Sequence, residues 1–251
     1  MLDVNWFLPG IFLAFFAGIL RGYSGFGFAM TLALGLLWFL PPLQVIIIVL
    51  TLDFLGALGL IRRAWRLVDK QVLKRLTLMM VIMSCLGVLF MGMIPPQTAK
   101  IIVAVLCFFG AILSLIPNRI SRLTRKKDLT LALPAGAASG LAMTVASAGG
   151  PPMMLYLMHT TLSTQTARAT AIIFFLVASA TALLGYAISG HLTITLLSSS
   201  LILLPSALLG ASLGQYLFNR FEPVSYRMIV SPLLILMALS VLVTELGRYI
   251  H

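Results

Sequence analysis

The stretch Arg21-Gly22-Tyr23-Ser24-Gly25-Phe26-Gly27 interrupts a long apolar run with a cation, two hydroxyls and three glycines. A second interruption follows Thr144, in Ser147-Ala148-Gly149-Gly150-Pro151-Pro152. Backbone that leaves a helix inside a bilayer has N–H and C=O groups that lipid cannot satisfy, at several kcal/mol each. Such backbone survives only against protein or beside a wet cavity. A new helix starts after each interruption, near Gly25 and near Gly150, and a helix N-terminus exposes free N–H groups and partial positive charge. Glycine lets a ligand approach the chain closely. Proline suits a first helical turn, where its missing N–H costs nothing. Ser24, Thr144 and Ser147 add hydroxyls, and Arg21 adds a fixed cation with several donors.

This chemistry favours an anion. A carboxylate, sulfite or a sulfonate fits; a cationic amine does not. The candidate substrate-binding residues are Arg21, Gly22, Tyr23, Ser24, Gly25, Gly27, Thr144, Ser147, Gly149, Gly150 and Pro151. Plainer readings stand beside these. Arg21 reads equally as a residue snorkelling to the cytoplasmic interface. Gly18 and Gly22 also suit close helix packing. Asp53 is an acid well inside a long apolar segment. It is a candidate carrier of a coupling proton, a candidate partner of Arg21, or a packed neutral carboxyl. His159 reads as a cap or a water-facing residue rather than a proton relay. Arg168 reads as a topology charge, with guidance of anions to the inner mouth as the other reading.

The elements that must hold these residues follow from composition. The chain has 251 residues, of which 61% are hydrophobic and 9% charged. A soluble domain carries about 25% charged residues, so the class is an all-α polytopic membrane protein. The segments lack the two-residue alternation of an outer-membrane barrel. MLDVNWFLPG has no basic n-region and does not read as a cleaved signal peptide. The net charge of +11 sits in short loops, as the positive-inside rule expects, and no soluble basic module argues for nucleic acid. Cys85 and Cys107 lie in apolar stretches and read as packed thiols, with no metal spacing.

Apolar segments run at about 7–20, 25–40, 43–61, 77–94, 99–116, 129–146, 150–160, 169–188, 193–217 and 227–247. A spanning helix needs about 20 residues. Segments 7–20, 25–40 and 150–160 fall short and border the glycine breaks, so they read as half-helices or strongly tilted elements. Six basic residues in Arg62–Arg75 and five in Asn118–Asp128 place both loops in the cytoplasm. Both termini then fall on the outer side of the membrane, with only Lys100 and Arg248 as outer cations.

The result is two inverted repeats, 1–117 and 129–251, joined by a basic linker at 118–128. Each has a short broken or re-entrant hairpin followed by three transmembrane helices. Pro95–Val103 aligns without gaps to Glu222–Val230, and PPLQV at Pro41 sits about where LSTQT does at Leu162. Inverted repeats with broken helices are an architecture of secondary transporters. No HExxH, Walker A or CxxC motif is present, so the reading is not an enzyme, with no cofactor and no metal. Without a nucleotide domain, transport is gradient-driven or passive.

AGILRGYSGFGF in the first half and SGLAMTVASAGGPPMMLYLMHTT (Ser139–Thr161) in the second resemble the sulfite exporter TauE/SafE family of bacterial membrane transporters. Gly-Gly-Pro-Pro followed by Leu-Tyr-Leu is the most specific piece. The first-half motif departs from the family pattern, since Phe26 and Phe28 intervene among its glycines. The resemblance implies an inner-membrane permease of a small organosulfur anion such as sulfite, sulfoacetate or another sulfonate. The expected function is secondary active transport by alternating access, with the anion at helix N-termini near the membrane midplane and protons as the candidate coupling ion. The alternatives are a passive anion channel and an exporter of small carboxylates. The expected partners are the small anionic substrate and the lipid bilayer.

Overall fold

The computed structural model describes residues 6–24, 27–59, 61–115, 124–220 and 226–250. Gly25 lies outside them. Eleven helices and no strand occur among the described residues: α1 Phe7–Ser24, α2 Phe28–Leu36, α3 Pro42–Leu58, α4 Ile61–Leu67, α5 Lys70–Met93, α6 Pro96–Leu115, α7 Arg125–Ala146, α8 Gly150–His159, α9 Thr164–Ile188, α10 Ile194–Arg220 and α11 Tyr226–Ile250. Five of them, α5, α6, α7, α9 and α10, are long and apolar enough to cross a membrane.

α3 forms the centre. Val45 to Leu52 are all buried, as expected of a helix that is apolar on every side. α5 shows the opposite pattern. Val72, Leu76, Met80, Ser84 and Val88 make one buried stripe, while Leu78, Ile82, Leu86 and Leu89 stay exposed on the outer surface. Asp69 starts this helix by accepting from the Gln71 and Val72 amides at 3.0 and 2.9 Å, a side-chain N-cap. Ser163 caps α9 through the Thr166 amide.

α2 and α8 have nine and ten residues. At 1.5 Å per residue each covers about half of a 30 Å hydrocarbon layer. α2 folds back on α1, since a side chain at Gly35 would meet Leu13. α8 folds back on α7, since Tyr156 and Thr161 from its far end and the turn beyond bind Asp128 in the first turn of α7.

Three expectations change. The basic segment read as a loop contains α4, an amphipathic helix. Its Ala64 packs with Ala169 and Ile173 of α9, while Arg62, Trp65 and Arg66 face outward. α7 begins at Arg125 and takes in the end of the expected linker. Cys85 is exposed on the outer surface, and only Cys107 is packed.

Helix pairing has a regular pattern. α1 packs along α10 as α5 packs along α7; α3 meets α10 as α9 meets α5; α2 meets α11 as α8 meets α6. The match extends to residues. Counted back from Gly27 and Gly149, Gly18 and Gly140 hold the same place, as do Gly22 and Thr144. A Cβ on Gly18 would run into the Ala207 carbonyl of α10, and one on Gly140 into the Met80 carbonyl of α5 at 2.6 Å. The register that aligns Pro95–Val103 with Glu222–Val230 sets Met80 opposite Ala207. Small residues thus let both helix pairs approach to backbone contact.

Candidate functional site

The two hairpin tips meet. At the first, Gly27 takes φ 95° and ψ −13°, a left-handed conformation that glycine adopts without strain. Its carbonyl accepts from the Thr31 amide at 3.0 Å. The amides of Phe28, Ala29 and Met30 belong to the first turn, which has no intrahelical partner for them.

At the second tip, α7 ends in Ser147 at φ 52°. Glycine is the usual residue there, and a serine in this region stores roughly 1 kcal/mol or more of strain. The carbonyls around this break are claimed by protein. The Ser147 amide donates to the Met143 carbonyl and the Ala148 amide to Ala142, both at 3.0 Å. The Tyr186 hydroxyl of α9 donates to Thr144 at 2.7 Å. The Cys107 thiol of α6 faces the Ala146 carbonyl at 3.8 Å. The Ser139 hydroxyl donates to the Gly149 carbonyl. With acceptors consumed and first-turn donors left over, the tips favour negative charge.

A cavity of about 70 Å³ lies between the tips. The first hairpin contributes Gly27 to Met30, and the second contributes Met143, Ser147 and Gly150. Arg21 of α1, Asp53 of α3 and Phe175 of α9 complete the wall. The Ser147 hydroxyl is buried and has no hydrogen-bond partner. Arg21 donates through Nη1 to Asp53 Oδ1 at 2.7 Å and lies over the Phe28 ring, 5.4 Å from its centroid. Stacking and ion pairing together fix the guanidinium plane. The pair keeps side-chain exposures of 27% and 13%, so it is reached from outside the packed core. A larger groove, lined by Leu8, Phe12, Phe15 and Leu209, lies on the outer surface of α1 and α10. It is apolar except for Ser206, whose hydroxyl donates to the Ile11 carbonyl, and it gives an anion no charge to bind.

Of the residues singled out in the sequence, the cavity brings together Arg21, Gly27, Ser147, Gly150 and Asp53. Gly25 lies outside the described residues, and the others do not line the cavity. Gly22 packs on the Ala211 carbonyl of α10, and the Tyr23 backbone lies against Gly214. Ser24 is the last residue of α1. Thr144 points at Gly87 of α5, Gly149 packs between Ser139 and Met143, and Pro151 abuts Gly110 of α6. Pro151 and Pro152 follow Gly150 directly and bring no N–H, so α8 offers fewer donors than α2. Arg168 is exposed. His159 ends α8 with Nδ1 on the Leu155 carbonyl at 2.7 Å.

Phe28, Met30, Met143 and Phe175 were not anticipated; ordinary apolar residues in apolar helices carry no mark of lining a site. Glu245 also escaped notice. It lies inside α11, 5% exposed, and pairs with Lys100 of α6 at 3.3 Å. Asp128 is fully buried and ties α7 to α8, far from the cavity.

Interrupted hairpins around an inner polar cavity, within a shell of spanning helices, define an α-helical multi-pass membrane protein. The chain belongs to the sulfite exporter TauE/SafE family, whose model matches residues 10–241. Membership implies a membrane transporter of sulfite-type anions. No curated protein and no solved structure matches the chain.

Proposed function

We propose that the protein is a secondary transporter that binds a small sulfur oxyanion between the two hairpin tips. The observation that carries this reading is the Ser147 hydroxyl. It is buried, strained and unpartnered, and it faces a cavity that also holds Arg21 and the first turns of α2 and α8. A water in bulk takes about 30 Å³, so about 70 Å³ suits a sulfite-sized solute. A sulfoacetate or a larger sulfonate needs the cavity to widen.

Asp53 occupies the Arg21 donor that an incoming anion needs. The anion displaces the carboxylate, and two negative groups beside one cation are unfavourable. Protonation of Asp53 relieves this, which couples one proton to one anion. The matched packing of α1 on α10 and α5 on α7 supports two repeats of opposite orientation, with one rocking against the other for alternating access. Basic segments at Arg62–Arg75 and Arg119–Lys127 set the cytoplasmic face. Both termini then lie in the periplasm of a bacterium whose inner membrane holds the protein.

The test is sulfite uptake into proteoliposomes with and without a pH gradient, alongside sulfite binding to the purified protein. Saturable flux with counterflow, driven by the gradient, is expected. Arg21→Ala should remove binding while the protein stays folded. Linear flux without counterflow would replace the transporter by a channel, and unchanged affinity in Arg21→Ala would move the site elsewhere.

A further inference from the structure

Thr31 lies one turn beyond Gly27 and Phe28 on the same face of α2, directly behind the cavity that those residues line. Its side chain is 0% exposed, and its hydroxyl has no hydrogen-bond partner. Buried hydroxyls on the other helices behave differently. Thr51, Thr144, Thr170 and Ser179 each donate to a carbonyl one turn back, and Ser84 and Ser139 reach carbonyls elsewhere. Thr31 could bond to Gly27 in the same way and does not.

The surroundings of Thr31 are sealed. Thr31 to Leu37 on α2 and Val45 to Leu52 on α3 are buried without a gap. The exposed part of the site is on the other side, at Arg21 and Asp53. A buried hydroxyl without a partner is unfavourable in any one state. It is accounted for if another state of the molecule gives it something to bind. An oxyanion leaving the cavity along α2 passes Thr31 first.

We propose that the Thr31 hydroxyl binds the anion in the conformation open to the opposite face, as the first polar station beyond the cavity. This rests on the reading of the cavity as the anion site. In the state described here the anion sits on Arg21, Ser147 and the first-turn amides, out of reach of Thr31. When the far side opens, the hydroxyl donates to an anion oxygen and replaces a donor lost from the first set.

The experiment measures sulfite binding to the purified full chain and radiolabelled sulfite exchange in proteoliposomes for Thr31→Val, Thr31→Ser and Arg21→Gln. Valine keeps the shape of threonine and removes only the hydroxyl. Thr31→Val should bind sulfite within twofold of the unaltered protein, melt at the same temperature and exchange about tenfold more slowly. Thr31→Ser should recover most of the exchange rate. Full-rate exchange by Thr31→Val overturns the proposal, as does an affinity loss equal to its loss of rate. Arg21→Gln tests the cavity itself: if that variant binds sulfite normally, the site reading has failed, whereas failure of Thr31 alone leaves it standing.

Discussion

Arg21 on α1 and Asp53 on α3 are joined by a 2.7 Å hydrogen bond at the wall of the cavity between the hairpin tips. The guanidinium has several donors, and the carboxylate takes one of them. The pair therefore behaves as a seat already taken by an internal anion, and a substrate must compete for it. Asp53→Asn removes the competitor's charge and leaves a side chain of the same size. Sulfite affinity should rise several-fold, and its dependence on pH should shrink to that of the sulfite–hydrogensulfite equilibrium alone. Isothermal titration at two pH values checks this; a pH dependence in Asp53→Asn larger than sulfite's own titration accounts for would assign the proton to another group.

The same substitution has a signature in stability. Breaking a fully buried ion pair costs about 3–5 kcal/mol, but Arg21 keeps 27% exposure, and solvent screening lowers the figure to about 1–2 kcal/mol. Bound sulfite should offset the loss, since several-fold tighter binding by the variant returns about 1 kcal/mol at equal, saturating sulfite. The expected melting curves of Asp53→Asn and the unaltered protein differ without sulfite and converge at saturation.

Ser147 sets strain against function. Ser147→Gly removes a side chain from a left-handed position at φ 52° and should stabilise the fold by roughly 1 kcal/mol. It also removes a hydroxyl that has only the cavity to serve. Hydrogen bonds to charged groups contribute about 1.5–3 kcal/mol, so sulfite affinity should fall at least tenfold. Ser147→Ala keeps the strain and should lose the affinity alone. A Ser147→Gly protein that is both more stable and equally tight in binding would show that the hydroxyl has no part in recognition.

These residues also mark how far the sequence could be read. Both breaks were legible because their cause is local. Gly149-Gly150-Pro151-Pro152 cannot continue a helix as one that precedes it, and a cluster of glycines beside Arg21 has no place in a uniform span. The partnership of Arg21 with Asp53 was one of several open readings, since thirty-odd residues separate them and only the folded chain brings the end of α1 within reach of α3. Gly22 and Thr144 show the limit more sharply. Their types suit an anion site and a close helix contact equally. The structure turns them to α10 and α5, because each lies a turn or more before its break, on the face that meets a neighbouring helix. Phe175, Met143 and Thr31 gave no signal at all. Their importance comes from which helix stands opposite, and a chain that is apolar almost everywhere does not record that in residue type. Asp128 was hidden in a basic loop, where a carboxylate looks like one more surface charge.

Asp128 carries its own prediction. Its carboxylate accepts from the Tyr156 hydroxyl at 2.6 Å and from the Thr161 hydroxyl and amide at 2.9 and 3.2 Å. These bonds fix the far end of α8 and hence the height of Gly150 in the cavity. Asp128→Asn puts an amide donor among donors, and leaving one unmatched costs about 1–3 kcal/mol. Tyr156→Phe should cost somewhat less. The double variant should cost clearly less than the two losses combined, since the residues share one network. Chemical denaturation of the three proteins measures it, and strict additivity would mean that the network does not hold the hairpin.

The backbone contact of α1 with α10 is the last feature open to a direct trial. A Cβ at Gly22 would enter the Ala211 carbonyl, and at Gly18 the Ala207 carbonyl. Neither neighbour can yield, because each belongs to the backbone of a helix. Gly22→Leu should therefore destabilise the protein by about 3 kcal/mol or more, seen as lost monodisperse protein after extraction. Gly140→Leu should do the same through Met80 of α5, the counterpart of Ala207. Gly59→Ala is the control: nothing lies within 4 Å of a Cβ there, and its φ of −63° suits alanine, so stability should hold within about 0.5 kcal/mol. If Gly22→Leu and Gly140→Leu differ widely in effect, the two helix pairs are not equivalent, and the case for two matched repeats loses its residue-level support.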